Sequence, residues 1–132
     1  MLATGPPAVL DPGLAAGLVA LDATIPLPTT LRLDGDVPAG HPAAAALWFV
    51  ASEAVANSLK HAGARSLALT LEVDAERAQL IVSDDGCGGV DRPPTAILGR
   101  LGALPSTVGV SSPPGHGTSI RVSVDLASRA VP

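Results

Sequence analysis

Aromatic residues make up only 2% of this 132-residue chain, so the core must be filled by Ala, Val, Leu and Ile and not by stacked rings. Cysteine is nearly absent as well. Cys87 stands alone, which excludes an intramolecular disulfide and suits a reducing compartment. Positive charge is scarce: Lys and Arg number 8 against 12 Asp and Glu, giving a net charge of −4 and a pI of about 5.1, with no basic footprint for nucleic acid. No apolar run approaches the ~20 residues that span a bilayer. The N-terminal MLATGPPAVLDPG lacks the basic start and apolar centre of a signal peptide. These absences lead to the expectation of one cytoplasmic globular domain that touches neither membrane nor nucleic acid, since the length suits one core and not two.

What is abundant is punctuation: 14 glycines and 13 prolines imply many turns between short elements. Residues 1–10 read as a flexible lead-in, 11–126 as the domain and 127–132 as a frayed tail. Asp11-Pro12 has the form of an N-cap followed by proline at the first helical position, opening a short helix that ends near Leu21. TTLRLD, Thr29 to Asp34, alternates like a strand. Pro42 opens a long helix that Gly63 closes. Ser66–Val73 and Ala78–Ser83 read as strands of an antiparallel hairpin turning at Asp74 to Arg77. Val90 to Thr95 is a loop. Ala96 to Leu104 is a short helix weakened by Gly99 and Gly102. Thr107–Ser111 and Thr118–Leu126 are the last strands. Helices mixed with about five strands, joined by both hairpins and crossovers, predict an α+β fold: a two-layer α/β sandwich with one mixed sheet and helices on one face.

The long helix, LWFVASEAVANSLKHAGA from Leu47, carries two stripes. Leu47, Val50, Ala51, Ala54, Val55 and Leu59 form an apolar one, and Trp48 is expected to join the core. Glu53, Asn57, Lys60 and His61 recur at helical spacing on another side. Glu and Lys are ordinary on a solvated face. Asn is not, because its helix propensity is poor. Two glycine clusters follow: Asp84-Asp85-Gly86-Cys87-Gly88-Gly89 at a strand end, and Gly115-His116-Gly117-Thr118 before the last strand. Glycines let backbone N–H groups approach phosphate oxygens closely. A carboxylate at a strand end can accept from an amino group such as that of adenine. An Asn oxygen suits Mg2+.

Taken singly, each cluster is more often a turn or a polar surface. No GxxxxGK[ST] P-loop occurs, and DDGCGG leads into Pro93-Pro94 and not into the helix a Rossmann fingerprint needs. Cys87 and the three histidines lack zinc spacing, and no histidine is placed by sequence to activate Cys87 as a nucleophile.

The order of the three clusters is more telling than any one. ExxxNxxKH on a helix, a strand ending in DxGxG, then GxGT before a strand resembles the N, G1 and G2 boxes of the GHKL ATPase superfamily, across about residues 10 to 126. The wording FVASEAVANSLKHAGA is similar to the N box of bacterial two-component sensor histidine kinases, especially the group paired with LuxR-like response regulators. The resemblance implies a Bergerat-type sandwich that uses ATP and Mg2+ and transfers the γ-phosphoryl group to a histidine, mostly through metal and positioning. It implies Asn57 as the Mg2+ ligand and Glu53, Lys60 and His61 as catalytic residues near the attacking group and phosphates. Asp84 is then the adenine acceptor, with Gly86, Gly88, Gly115, Gly117 and Thr118 shaping the nucleotide pocket. The implied partners are a dimerisation and phosphoacceptor domain and a response regulator.

Two departures stand beside the match. No dimerisation helix with a phosphoacceptor histidine is present; His61 belongs to the N box, and His41 and His116 fall in loops. The segment between G1 and G2, VDRPPTAILGRLGALPSTV, is short and lacks the family's GLxGL lid stretch, of which Gly99 or Gly102 is the only trace. The acceptor histidine must then come from another domain or chain. Two other readings go with the same fold: a non-catalytic regulatory module with weak or no nucleotide binding, and an anti-sigma-factor-type serine kinase.

Overall fold

The computed structural model describes residues 10–61, 63–90 and 94–126. The elements in chain order are α1 (Leu14–Asp22), β1 (Thr29–Asp34), α2 (Pro42–His61), β2 (Leu67–Val73), β3 (Arg77–Asp84), α3 (Thr95–Leu101), β4 (Ser106–Ser111) and β5 (Thr118–Asp125). The expected lead-in and tail lie outside the described residues except for Leu10, which is fully buried.

Five strands form one sheet in the order β1-β2-β3-β5-β4. β1 and β2 run parallel, which requires a crossover, and α2 supplies it. Every other pair is antiparallel, with β2–β3 the expected hairpin. Asp74 makes that turn by accepting from the backbone N–H groups of Glu76 (2.8 Å) and Arg77 (2.9 Å). Register aligns the apolar residues of one face: Leu69 opposite Val82, Leu71 opposite Leu80, Leu80 opposite Val122, Val82 opposite Ile120. These side chains are buried against α2 residues Leu47, Val50, Ala51, Ala54 and Val55. The alternate strand positions, among them Thr70, Gln79, Ser83, Arg121 and Ser123, stay partly or fully exposed. The result is the expected two-layer α+β sandwich, a mixed sheet covered on one face. No helix among the described residues is long and apolar enough to cross a membrane.

Three local readings change. First, α1 begins at Leu14, not at Asp11-Pro12, and Gly13 is its N-cap without a side-chain bond. The cap comes from a distant loop: Asp36 Oδ1 accepts from Ala15 N at 2.7 Å, and Val37 O accepts from Leu14 N at 2.8 Å. A tertiary partner thus satisfies the orphan donors that Asp11 was expected to take. Second, Leu59 is 42% exposed, while its neighbour Ser58 is buried in the stripe. The last turn of α2 faces the end of β3, where the side chain waiting is the carboxylate of Asp84. Third, Trp48 is half-buried at the α1–α2 seam and not in the central core. Its Nε1 donates to Gly17 O at 3.0 Å, and a Cβ at Gly17 would stand 2.8 Å from the indole.

Short α3 packs Ile97 and Leu101 into the core, and Arg100 lies 4.6 Å over the Phe49 ring, which meets Trp48 edge-on. Residues 91–93 of the expected loop lie outside the described residues.

Candidate functional site

β3 is an interior strand, so its C-terminal residue is delivered to a fixed place between α2 and β5. That residue is Asp84. Its Oδ1 accepts from Gly86 N (2.8 Å) and Thr118 N (3.3 Å), and its Oδ2 accepts from Ser58 Oγ (2.6 Å). Three donors, from a helix, a loop and a strand, therefore aim one carboxylate. Asp85, next in sequence, turns the other way. Its Oδ1 accepts from Arg65 N (2.7 Å) and Ser66 N (2.9 Å), and its Oδ2 bonds Ser66 Oγ (3.0 Å). The Ser66 N–H first, then that of Arg65, holds the Asp85 carboxyl below the usual carboxylate range. The pair thus divides its work: one carboxylate faces a cleft, the other ties the start of β2 to the end of β3.

The two glycine clusters interlock. Gly115 N donates to Cys87 O (2.6 Å), Gly89 N to Ser112 O (2.8 Å) and Val90 N to Ser112 Oγ (3.0 Å). Ser112 Oγ also pairs with Thr118 Oγ1 at 2.7 Å. Gly88 (φ +66) and Gly117 (φ +79) have no alternative residue: a Cβ at the first would strike Pro113 O, and at the second Asp84 O. Gly86 is buried beneath Asp84, and Gly115 (φ +82) sits exposed at the rim.

Between these loops and α2 lies a cleft of about 320 Å³, lined by Asn57, Ser58, Asp84, Cys87, Gly88 and Thr118, with Val90, Pro94 and Ile120 as its apolar wall. Its surface is mostly apolar, with a few polar side chains, the arrangement expected of a small-molecule site. A larger hollow of about 610 Å³ opens at the far end of the sheet around Glu76, Arg77, Ser106 and Asp125. None of the three sequence clusters reaches it, so the smaller cleft is the better candidate.

Of the α2 polar stripe, Asn57 stands in the cleft wall. Glu53 is half-buried one turn earlier and Lys60 is exposed; neither lines the cleft. The side chain of His61 lies outside the described residues. His41 does local work instead, its Nδ1 accepting from Ala43 N (3.0 Å) at the start of α2, and His116 is exposed in the loop before β5. No group of three or more His, Cys, Asp or Glu suited to a metal occurs among the described residues. A cation here would have the Asn57 oxygen and whatever oxygens a ligand brought.

Ser58 and Ser112 are the residues that sequence reasoning missed. Ser58 left one signal: it follows Ala54 and Val55 at four and three, a hydroxyl on the apolar stripe. Ser112 left none.

No family model matches the chain, and no curated protein does. Solved structures do match. The histidine kinase domain of the blue-light-activated histidine kinase of Erythrobacter litoralis EL346 superposes with a TM-score of 0.64 at 20% identity, over 87% of this chain and 66% of that one. The ATP binding domain of PrrB from Mycobacterium tuberculosis gives 0.63 at 18% identity, over 91% of this chain and 95% of that domain. The histidine kinase domain of the E. coli osmosensor EnvZ gives 0.62 at 14%, over 90% and 87%. The chain thus spans about two thirds of the Erythrobacter domain, and 44% of the longer Erythrobacter kinase, but nearly the whole of the PrrB domain. At these identities the likeness is one of fold, and the fold this chain has is that of the histidine-kinase ATP-binding domains.

Proposed function

We propose that this chain is the ATP-binding catalytic domain of a two-component sensor histidine kinase, cytoplasmic, passing the γ-phosphoryl group of Mg-ATP to a histidine supplied by another domain or chain. The observation that carries this reading is the Asp84 carboxylate, held by three donors in the wall of a mostly apolar cleft rimmed by two interlocked glycine loops. A carboxylate offers about four lone-pair sites. Three are taken, and the remaining one suits the amino group of adenine, whose ring the wall of Val90, Pro94 and Ile120 would cover. Thr118 lines the same cleft, while Gly86, Gly88, Gly115 and Gly117 keep side chains out of the loops.

Asn57 stands in the same wall and would hold Mg2+ with phosphate oxygens and water, a donor set that fits this hard cation. The ion would supply charge neutralisation at the transferring phosphoryl group. Lys60 and His61 would meet the phosphates, and Glu53 would orient the attacking imidazole. The partners are then a dimerisation and phosphoacceptor domain and a response regulator, of the LuxR-like group if the N-box wording is a guide.

One observation favours a non-catalytic module instead. Among the described residues, the helix between the cleft rim and β4 is the seven-residue α3, and the segment has no GLxGL stretch to close over phosphates. Calorimetric titration with a non-hydrolysable ATP analogue, with and without Mg2+, separates the two. Metal-enhanced micromolar binding, lost in Asp84→Ala and made metal-independent in Asn57→Ala, is the expected result. A folded protein that binds nothing up to millimolar nucleotide would instead favour the scaffold reading.

A further inference from the structure

Ser58 is the one polar residue among the described ones that is buried with the core, at 6% exposure. It occupies a position on the apolar stripe of α2, and its hydroxyl hydrogen goes to Asp84 Oδ2 at 2.6 Å. The other two donors to that carboxylate are backbone N–H groups, of Gly86 and Thr118, and both reach Oδ1. Ser58 is therefore the side-chain donor to Oδ2, the oxygen that takes one donor where Oδ1 takes two. Ser58 also lines the cleft. With its hydrogen committed to Asp84, the hydroxyl has only lone pairs to offer a ligand.

We infer that Ser58 is a specificity-determining residue that selects a 6-aminopurine over a 6-oxopurine nucleotide; this rests on the nucleotide-binding reading above. With Ser58 in place, the cleft wall presents two acceptors, Asp84 Oδ2 and Ser58 Oγ. An amino group donates to them. A 6-oxo group sets its own lone pairs against the carboxylate. Remove the hydroxyl and two things change. The carboxylate loses the donor that fixes its rotation on the Oδ2 side, and the vacated space admits a water able to donate either to the carboxylate or to a 6-oxo group. Discrimination should fall more than affinity.

The test compares β,γ-imido analogues of adenosine and inosine triphosphate by titration calorimetry on the wild type, Ser58→Ala and Ser58→Cys. The two ligands differ at position 6 of the purine and in the proton that the 6-oxo base carries on N1. Alanine is a better helix former than serine, and cysteine keeps the side-chain volume with only a weak donor, so both variants should fold; circular dichroism checks this. The expected result is a wild-type preference for the adenosine analogue that shrinks about tenfold or more in both variants, the scale of one hydrogen bond to a charged group. A wild-type ratio retained in either variant overturns the inference: retention in both means Ser58 does not set selectivity, and retention in cysteine alone means it acts by filling space. Wild-type protein that binds neither analogue overturns this inference together with the nucleotide reading. Binding by the wild type with ratios unmoved by the variants overturns this inference alone.

Discussion

Asp84 and Asp85 are chemically identical neighbours with opposite tasks, and the difference is testable through pH. The folded-state pKa of Asp85 is depressed, first by the Ser66 N–H and then by that of Arg65, so its stabilising effect is complete above the ordinary carboxylate value of 3.8 and is lost as pH falls through the folded value. Asp85→Asn keeps an acceptor oxygen but no charge. Its urea midpoint should lie below wild type at neutral pH, and the gap should close as pH drops below about 4. Parallel midpoint curves down to the acid limb would contradict the tie. Asp74 is lowered for the same reason, by the N–H groups of Glu76 and then Arg77, so some acid sensitivity should persist in the variant. At this scale the sequence exposed Asp84 and the glycines, because carboxylates at strand ends and paired glycine loops are unusual in order if not singly. It hid Ser58 because Leu59 satisfies the same apolar spacing from Val55. Only the position of Asp84 in space decides which of the two neighbours turns inward.

Among the helices, α3 is the shortest. It has seven residues, Gly99 within it and Gly102 after it, and two buried side chains. Arg100 over the Phe49 ring adds a tie to α2. Such a contact at an exposed site is worth ~0.5–1 kcal/mol, so Arg100→Ala should raise hydrogen exchange of the amides of Thr95–Leu101 roughly two- to fivefold and leave β2 and β3 unchanged. Equal protection in both proteins would show that Ile97 and Leu101 alone hold the helix. The strands and α2 were legible because period-two and period-four patterns lie within one segment. The start of α1 was not, because its donors are met by Asp36 and Val37, more than 20 residues away in the chain, and no local pattern announces such a partner.

For the molecule as a whole, the near absence of rings makes the core depend on small aliphatic side chains fitted across one sheet. Leu80 stands at its centre, between Leu71 and Val122, fully buried. Leu80→Ala should cost about 2–5 kcal/mol and lower the melting temperature by roughly 10 °C or more, read by scanning calorimetry. A shift of only a degree or two would mean that the layers close over the gap. The fold class was legible from the order of elements, since a crossover helix followed by a hairpin admits few sheets. The interlock of the glycine loops through Ser112 was not, because it joins residues that only the completed sheet brings together. The scarcity of rings has one more consequence. The chain has a single tryptophan and no tyrosine, and that tryptophan is pinned to Gly17 at the seam of α1 and α2. Asn57 lies nine residues further along the same helix, about 13 Å away at the helical rise. Intrinsic fluorescence therefore carries one colour from one address: it reports the docking of α1, and a ligand in the cleft becomes visible only if its arrival is felt along the length of α2.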